Sequence, residues 1–224
     1  MISRSVFFVY SRLQHDAILL GKAATMVIWA IAGITVPIAL AVFIVAPDLL
    51  LVLYGGRWVP AAPFLRLLIV YAVLRPLWDN GVTFFIAVGK PKLTARCTIL
   101  QTMVLIVCGI PLTLQWGAIG ACVAVGLSFI TGAVYLYGHM ARQISINLIS
   151  LLGGPALAGL LTMVCYLIII RATPLSETSG LLSMALKGLS VIGIFFAFTL
   201  ILQPSLTRQR FQQVIRLLTD RAPS

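Results

Sequence analysis

Residues Ala23–Val45, AATMVIWAIAGITVPIALAVFIV, carry no ionisable side chain. The hydrocarbon core of a bilayer, roughly 30 Å thick, is crossed by about 20 apolar residues of helix, so this stretch alone predicts a membrane span. Pro37 is expected to bend it, and Ala46-Pro47-Asp48 to end it before Leu49–Tyr54 leads into a turn at Gly55-Gly56. Five further segments downstream meet the same length test: Pro60–Val88, Leu93–Leu114, Ala118–Tyr137, Leu148–Ile170 and Leu181–Leu202. The second span, Pro60–Val88, is too long to run straight and contains Arg66, Arg75, Pro76, Asp79 and Gly81, which predicts a break or a tilt. The expectation is an all-α integral membrane protein with a six-helix transmembrane domain over residues 23–202.

Composition supports that class. Of the 224 residues 61% are apolar and only 9% charged, with a mean hydropathy of +1.09, against roughly 25% charged in a soluble domain. Too few polar side chains exist to cover a water-exposed surface, so a soluble single domain is excluded. The net charge of +11 does not indicate nucleic acid, because the cations stand singly or in small groups between apolar runs. Cys97, Cys108, Cys122 and Cys165 all lie in apolar stretches without C-x-x-C spacing, and read as small buried hydrophobes. No metal centre or cofactor is expected.

The charge asymmetry sets an orientation. Arg4, Arg12, Lys22, Lys90, Lys92, Arg96, Arg142, Arg208, Arg210, Arg216 and Arg221 flank the spans on one side, and Arg57, Arg171 and Lys187 flank them on the other. By the positive-inside rule the first side is cytoplasmic and holds both termini. Residues 1–22 are expected as a cytoplasmic surface segment with a short helix over Ser11–Lys22. Residues 203–224 are expected as a cytoplasmic basic amphipathic tail, in which Phe211, Val214, Ile215 and Leu218 share one helix face.

Two cations fit neither flank, Arg66 and Arg75. Counted at 1.5 Å per residue, Arg75 lies roughly 22 Å beyond the outer end of its span, a depth at which a charge needs a partner or a water-filled cavity. Asp79 follows at i+4 and reaches it on the same helix face. Two readings stand: an internal Arg75–Asp79 pair at a kink, or an Arg75 that lines a cavity and meets an anionic ligand group while Asp79 tunes it. Arginine suits phosphate because its planar fork stays charged and donates two parallel hydrogen bonds. Arg66 is shallower; snorkelling to outer headgroups is favoured for it over a cavity role. Lys90, Lys92 and Arg96 read as anchors for anionic lipid, with an entrance for an acidic head group as the alternative. Gln101, Thr102, Ser128 and Thr131 are polar spots expected to bond across helices, and Ala118, Cys122 and Gly126 recur every four residues, as in close helix packing. No H-E-x-x-H, G-x-S-x-G, P-loop or dinucleotide fingerprint occurs, and an enzyme is not expected.

Four motifs resemble those of a known family. The run Tyr54-Gly55-Gly56-Arg57-Trp58-Val59-Pro60-Ala61-Ala62-Pro63-Phe64-Leu65-Arg66 is similar to the "yG-x-x-W-x-x-A-x-p-x-L-r" stretch of polysaccharide-transporter flippases in the multidrug/oligosaccharidyl-lipid/polysaccharide exporter superfamily. Ala87-Val88-Gly89-Lys90-Pro91 resembles that family's "a-x-G-r/k-p" turn. Trp116-Gly117-Ala118-Ile119-Gly120-Ala121 resembles its "x-G-x-x-G-a" helix opening, and Tyr10-Ser11-Arg12-Leu13-Gln14-His15-Asp16 its "f-S-r-l-q-x-d" segment. The resemblance covers about residues 7–140, while the last two spans match in hydropathy only.

Members of that family have two lobes, and the match falls on the second lobe and trailing helices. The resemblance therefore implies a C-terminal half in a bacterial cytoplasmic (inner) membrane, partnered by membrane lipids and by an N-terminal lobe or a second polypeptide. It implies flipping of a lipid-pyrophosphate-linked oligosaccharide for O-antigen, capsule or exopolysaccharide export, with Arg75, Asp79 and Arg66 as cavity residues. The alternatives are a drug or amphiphile exporter half, and a non-transporting assembly partner or gene remnant.

Overall fold

The structure, a computed structural model, describes residues 2–144, 148–172 and 181–202. It is a bundle of helices: α1 (Ile2–Leu13), α2 (Ala17–Tyr54), a 3-10 helix (Gly56–Ala61), α3 (Ala62–Ala72), α4 (Leu74–Ala87), α5 (Pro91–Trp116), α6 (Ala118–Gln143), α7 (Leu148–Ala172) and α8 (Leu181–Leu202). Five helical segments among the described residues are long and apolar enough to cross a bilayer, with Gly56–Ala87 counted as one. The α7 helix adds the shorter apolar stretch Gly153–Ile168. The chain is thus a multi-pass helical membrane fold, and α7 is the helix on which a count of six depends.

Asp16 corrects the expected surface helix over Ser11–Lys22. Its carboxylate accepts hydrogen bonds from the Ile18 and Leu19 amides, an N-cap that satisfies two orphan donors and starts α2 at Ala17. Ser11 and Arg12 therefore close α1, while Ala17–Lys22 open α2.

Pro47 corrects the expected end of the first span. The α2 helix is 38 residues long and carries both Pro37 and Pro47 inside it. A proline removes only the one bond to the carbonyl four residues back, here those of Gly33 and Phe43, whereas stopping the helix in hydrocarbon would strand several groups at once. The helix therefore runs on to Gly55, where φ is 85°, a value that favours glycine.

The second span breaks, as expected, and the break has a local cause. Pro76 cannot donate to Ala72, and α3 ends at Ala72 with α4 restarting at Leu74. The α5–α6 hairpin turns on Gly117, at φ 59°, and is the most extensive helix pairing in the bundle. The α6 helix runs to Gln143, beyond the expected limit at Tyr137.

Three apolar clusters hold the helices together. The largest joins α1, the start of α2, α4 and the far end of α6 through Tyr10, Ile28, Phe84, Phe85, Leu136 and Met140. A second, Ala46, Leu50 and Ala62, ties α2 to the 3-10 helix and α3. The third, Ala41, Tyr166 and Val191, docks α7 and α8 on α2. The expected amphipathic helix over Leu206–Thr219 and most of the Arg171–Gly180 loop lie outside the described residues.

Candidate functional site

The break before α4 places Arg75 in that helix's first turn, nearly three helical turns beyond Leu65, the last residue of the apolar cluster that packs α3 on α2. Its Nε is 3.5 Å from Asp79 Oδ1, and the two side chains are 59% and 51% exposed. The guanidinium carbon also stands 5.5 Å from the Trp78 ring centre and 5.8 Å from that of Phe129. Aromatic faces attract a cation through their quadrupole, so the charge is held between α4 and α6 without being sealed from ligand. Arg75, Trp78 and Phe129 line a cavity of about 200 Å³ together with Gln101, Leu105, Val125 and Ser128.

The cavity's polar wall is already paired. Gln101 Nε2 donates to the Ser128 carbonyl at 3.3 Å, and Ser128 Oγ donates to the Gln101 carbonyl at 3.0 Å. These reciprocal bonds cross from α5 to α6, as the sequence suggested for both residues. Thr102 and Thr131 instead bond back to carbonyls of their own helices, Thr98 and Leu127. Close approach in this region comes from glycine: a Cβ on Gly126 would fall within the Tyr71 ring of α3, and one on Gly132 within the Gln101 amide.

Arg66 is not brought to this cavity. It lies nine residues before Arg75, half a turn away at about 100° per residue, and is half-buried against α2. Its Nε donates to the Phe43 carbonyl at 3.0 Å, and its guanidinium carbon lies 5.6 Å from the Phe43 ring centre. Lys90, Lys92 and Arg96 are exposed around the turn at Gly89, where φ is 73°. At 1.5 Å per residue they stand roughly 20 Å along α4 from Arg75, so they form a separate cationic rim at the other end of the helix.

Two buried polar arrangements escaped sequence reasoning. Tyr10 Oη donates to Asn80 Oδ1 at 3.0 Å, Asn80 Nδ2 approaches Tyr137 Oη at 3.5 Å, and Tyr137 Oη donates to the Leu77 carbonyl at 2.9 Å. This relay ties α1, α4 and α6 together on the face of α4 that does not carry Arg75. The second corrects a flank assignment: Lys187 is not an outer anchor but lies 8% exposed inside α8, with Nζ 2.8 Å from Asp48 Oδ2 of α2. Its depth was a signal, since Lys187 sits almost two turns inside the span that opens at Leu181.

Residues 1–63 match the family model described as polysaccharide biosynthesis protein, the part of the chain that carries the Tyr10–Asp16 motif and most of the Tyr54–Arg66 motif. Among solved structures the chain is similar to "Lipid II flippase MurJ, inward closed conformation", at 15% identity and a TM-score of 0.71 over 90% of this chain. The fold is similar to that of the MurJ chain. The chain spans 43% of the MurJ chain's length. No curated protein sequence matches the chain.

Proposed function

We propose that the chain is one lobe, the C-terminal one, of a translocator that flips a lipid-pyrophosphate-linked oligosaccharide from the cytoplasmic to the outer leaflet of a bacterial inner membrane, for O-antigen, capsule or exopolysaccharide assembly. The observation that carries this reading is Arg75: an arginine deep in a membrane helix, more than half exposed, beside a cavity in a flippase fold. A charge at that depth does not face hydrocarbon. An N-terminal lobe or a second polypeptide covers that face and closes a water-filled central cavity around it.

Arg75 donates two parallel hydrogen bonds to the pyrophosphate, held in place by Trp78 and Phe129. Asp79, 3.5 Å away, competes for the guanidinium when the substrate leaves, which keeps binding reversible. Lys90, Lys92 and Arg96 hold the cytoplasmic rim against anionic headgroups and collect acidic substrate there. Both termini are cytoplasmic in this reading.

The test is complementation of a strain that lacks its polysaccharide flippase, with surface polysaccharide measured for wild type, Arg75→Lys and Arg75→Ala at matched membrane levels. Arg75→Ala is expected to lose surface polysaccharide by an order of magnitude or more, and Arg75→Lys to retain part of it. Unchanged polysaccharide in Arg75→Ala would overturn the assignment.

A further inference from the structure

We infer that Arg66 is a positioning residue that replaces the helical hydrogen bond removed by Pro47, and so fixes α3 on α2 ahead of the break that sets Arg75. Pro47 has no amide hydrogen, so the Phe43 carbonyl loses the donor that every non-proline residue at position 47 would supply. Arg66 Nε fills that place at 3.0 Å, from the neighbouring helix. Counted back from Tyr54 at 1.5 Å per residue, Phe43 lies roughly 17 Å inside α2, deep enough that water is no substitute partner and an orphan carbonyl is expensive. The remaining charge of the guanidinium rests on the Phe43 ring, 5.6 Å from its centre. One N–H donor and one face of the Arg66 guanidinium are thereby committed to α2.

The location gives this bond its effect. Arg66 lies seven residues before Val73, where the helix is interrupted, and Ala62 and Leu65 beside it pack on Ala46 and Leu50 of α2. Beyond Val73 the packing changes partner: Leu77, Phe84 and Phe85 of α4 belong to the cluster with α1 and α6. Arg66 is thus the polar anchor on the α2 side of a joint, and Arg75 is the second residue on its other side.

This claim is independent of the substrate reading in one readout and rests on it in the other. Four full-length proteins are compared: wild type, Arg66→Met, Pro47→Ala and the double variant. Each is scored for thermal unfolding in detergent and for surface polysaccharide in the complementation strain. A hydrogen bond from a charged donor corresponds to about a ten- to hundredfold change in an equilibrium. Arg66→Met is therefore expected to unfold at least about 4 °C lower and to transport about tenfold less. Pro47→Ala restores the intrahelical donor, so the double variant is expected to recover most of both losses. If Arg66→Met fails to accumulate at all, recovery of the double variant in the membrane serves as the same readout.

A double variant as impaired as Arg66→Met would overturn the inference, and transport lost with thermal stability intact would assign Arg66 to the substrate. Absence of transport in all four proteins, with the stability rescue present, would instead break the proposed function and leave this inference standing.

Discussion

The molecule has two described ion pairs within its membrane helices, and they are built in opposite ways. Arg75 and Asp79 lie one turn apart on α4, 3.5 Å from each other and more than half exposed. Asp48 and Lys187 are 139 residues apart, join α2 to α8 at 2.8 Å, and are 19% and 9% exposed at the side chain. The closer, better-formed pair is the structural one. A buried pair has its hydrogen bonds satisfied internally and nothing left to offer, while a loose pair beside a cavity keeps donors available for a ligand. Intramembrane charge therefore does not by itself mark function, and the proposed function draws on the exposed pair alone.

The contrast breaks most visibly at the buried pair. Lys187→Ala leaves the partly buried Asp48 without its counter-charge and is expected to destabilise the protein by about 3 kcal/mol, read as loss of folded protein in detergent. Replacing both partners, Asp48→Leu with Lys187→Met, is expected to return stability to within about 1.5 kcal/mol of wild type. If the double replacement is as unstable as the single, the pair contributes specific attraction and not merely mutual neutralisation.

Arg75→Ala sharpens the comparison from the other side. Its thermal stability is expected to stay within about 0.5 kcal/mol of wild type, while affinity for a polyprenyl-pyrophosphate glycan, measured by titration calorimetry on the purified protein with its partner lobe, falls about 10- to 100-fold. A large stability loss would make Arg75 a second structural charge. The smallest effect belongs to Asp79→Asn, expected to change stability by no more than about 0.5 kcal/mol and to tighten glycan binding about twofold to fivefold, since it removes the carboxylate that competes for Arg75.

How much of this was legible in the sequence follows the range of the interactions. Arg75 with Asp79 is an i,i+4 pair, and local spacing exposes such pairs directly. The membrane class, the broken second span and the Gly117 hairpin likewise follow from apolar length and from proline and glycine positions. Asp48 with Lys187, and Tyr10 with Asn80 and Tyr137, depend on which helices become neighbours, which hydropathy does not encode. The Arg66 bond was not legible for a related reason: its partner is a backbone carbonyl, and a carbonyl released by Pro47 has no signature beyond the proline itself. The end of α2 was missed because proline was taken as a stop, where in lipid the loss of one bond is less costly than an exposed helix terminus.

The separation of Asp48 from Lys187 also constrains how the protein is made. At about 5–20 residues per second, the ribosome completes Lys187 roughly 7–28 s after Asp48. The α2 segment thus enters the translocon with an unmatched carboxylate, carried by flanking sequence whose mean hydropathy reaches 2.6. Insertion of α8 is then the event that neutralises the charge on α2, and a chain stalled before α8 would leave a charged α2 exposed to membrane quality control.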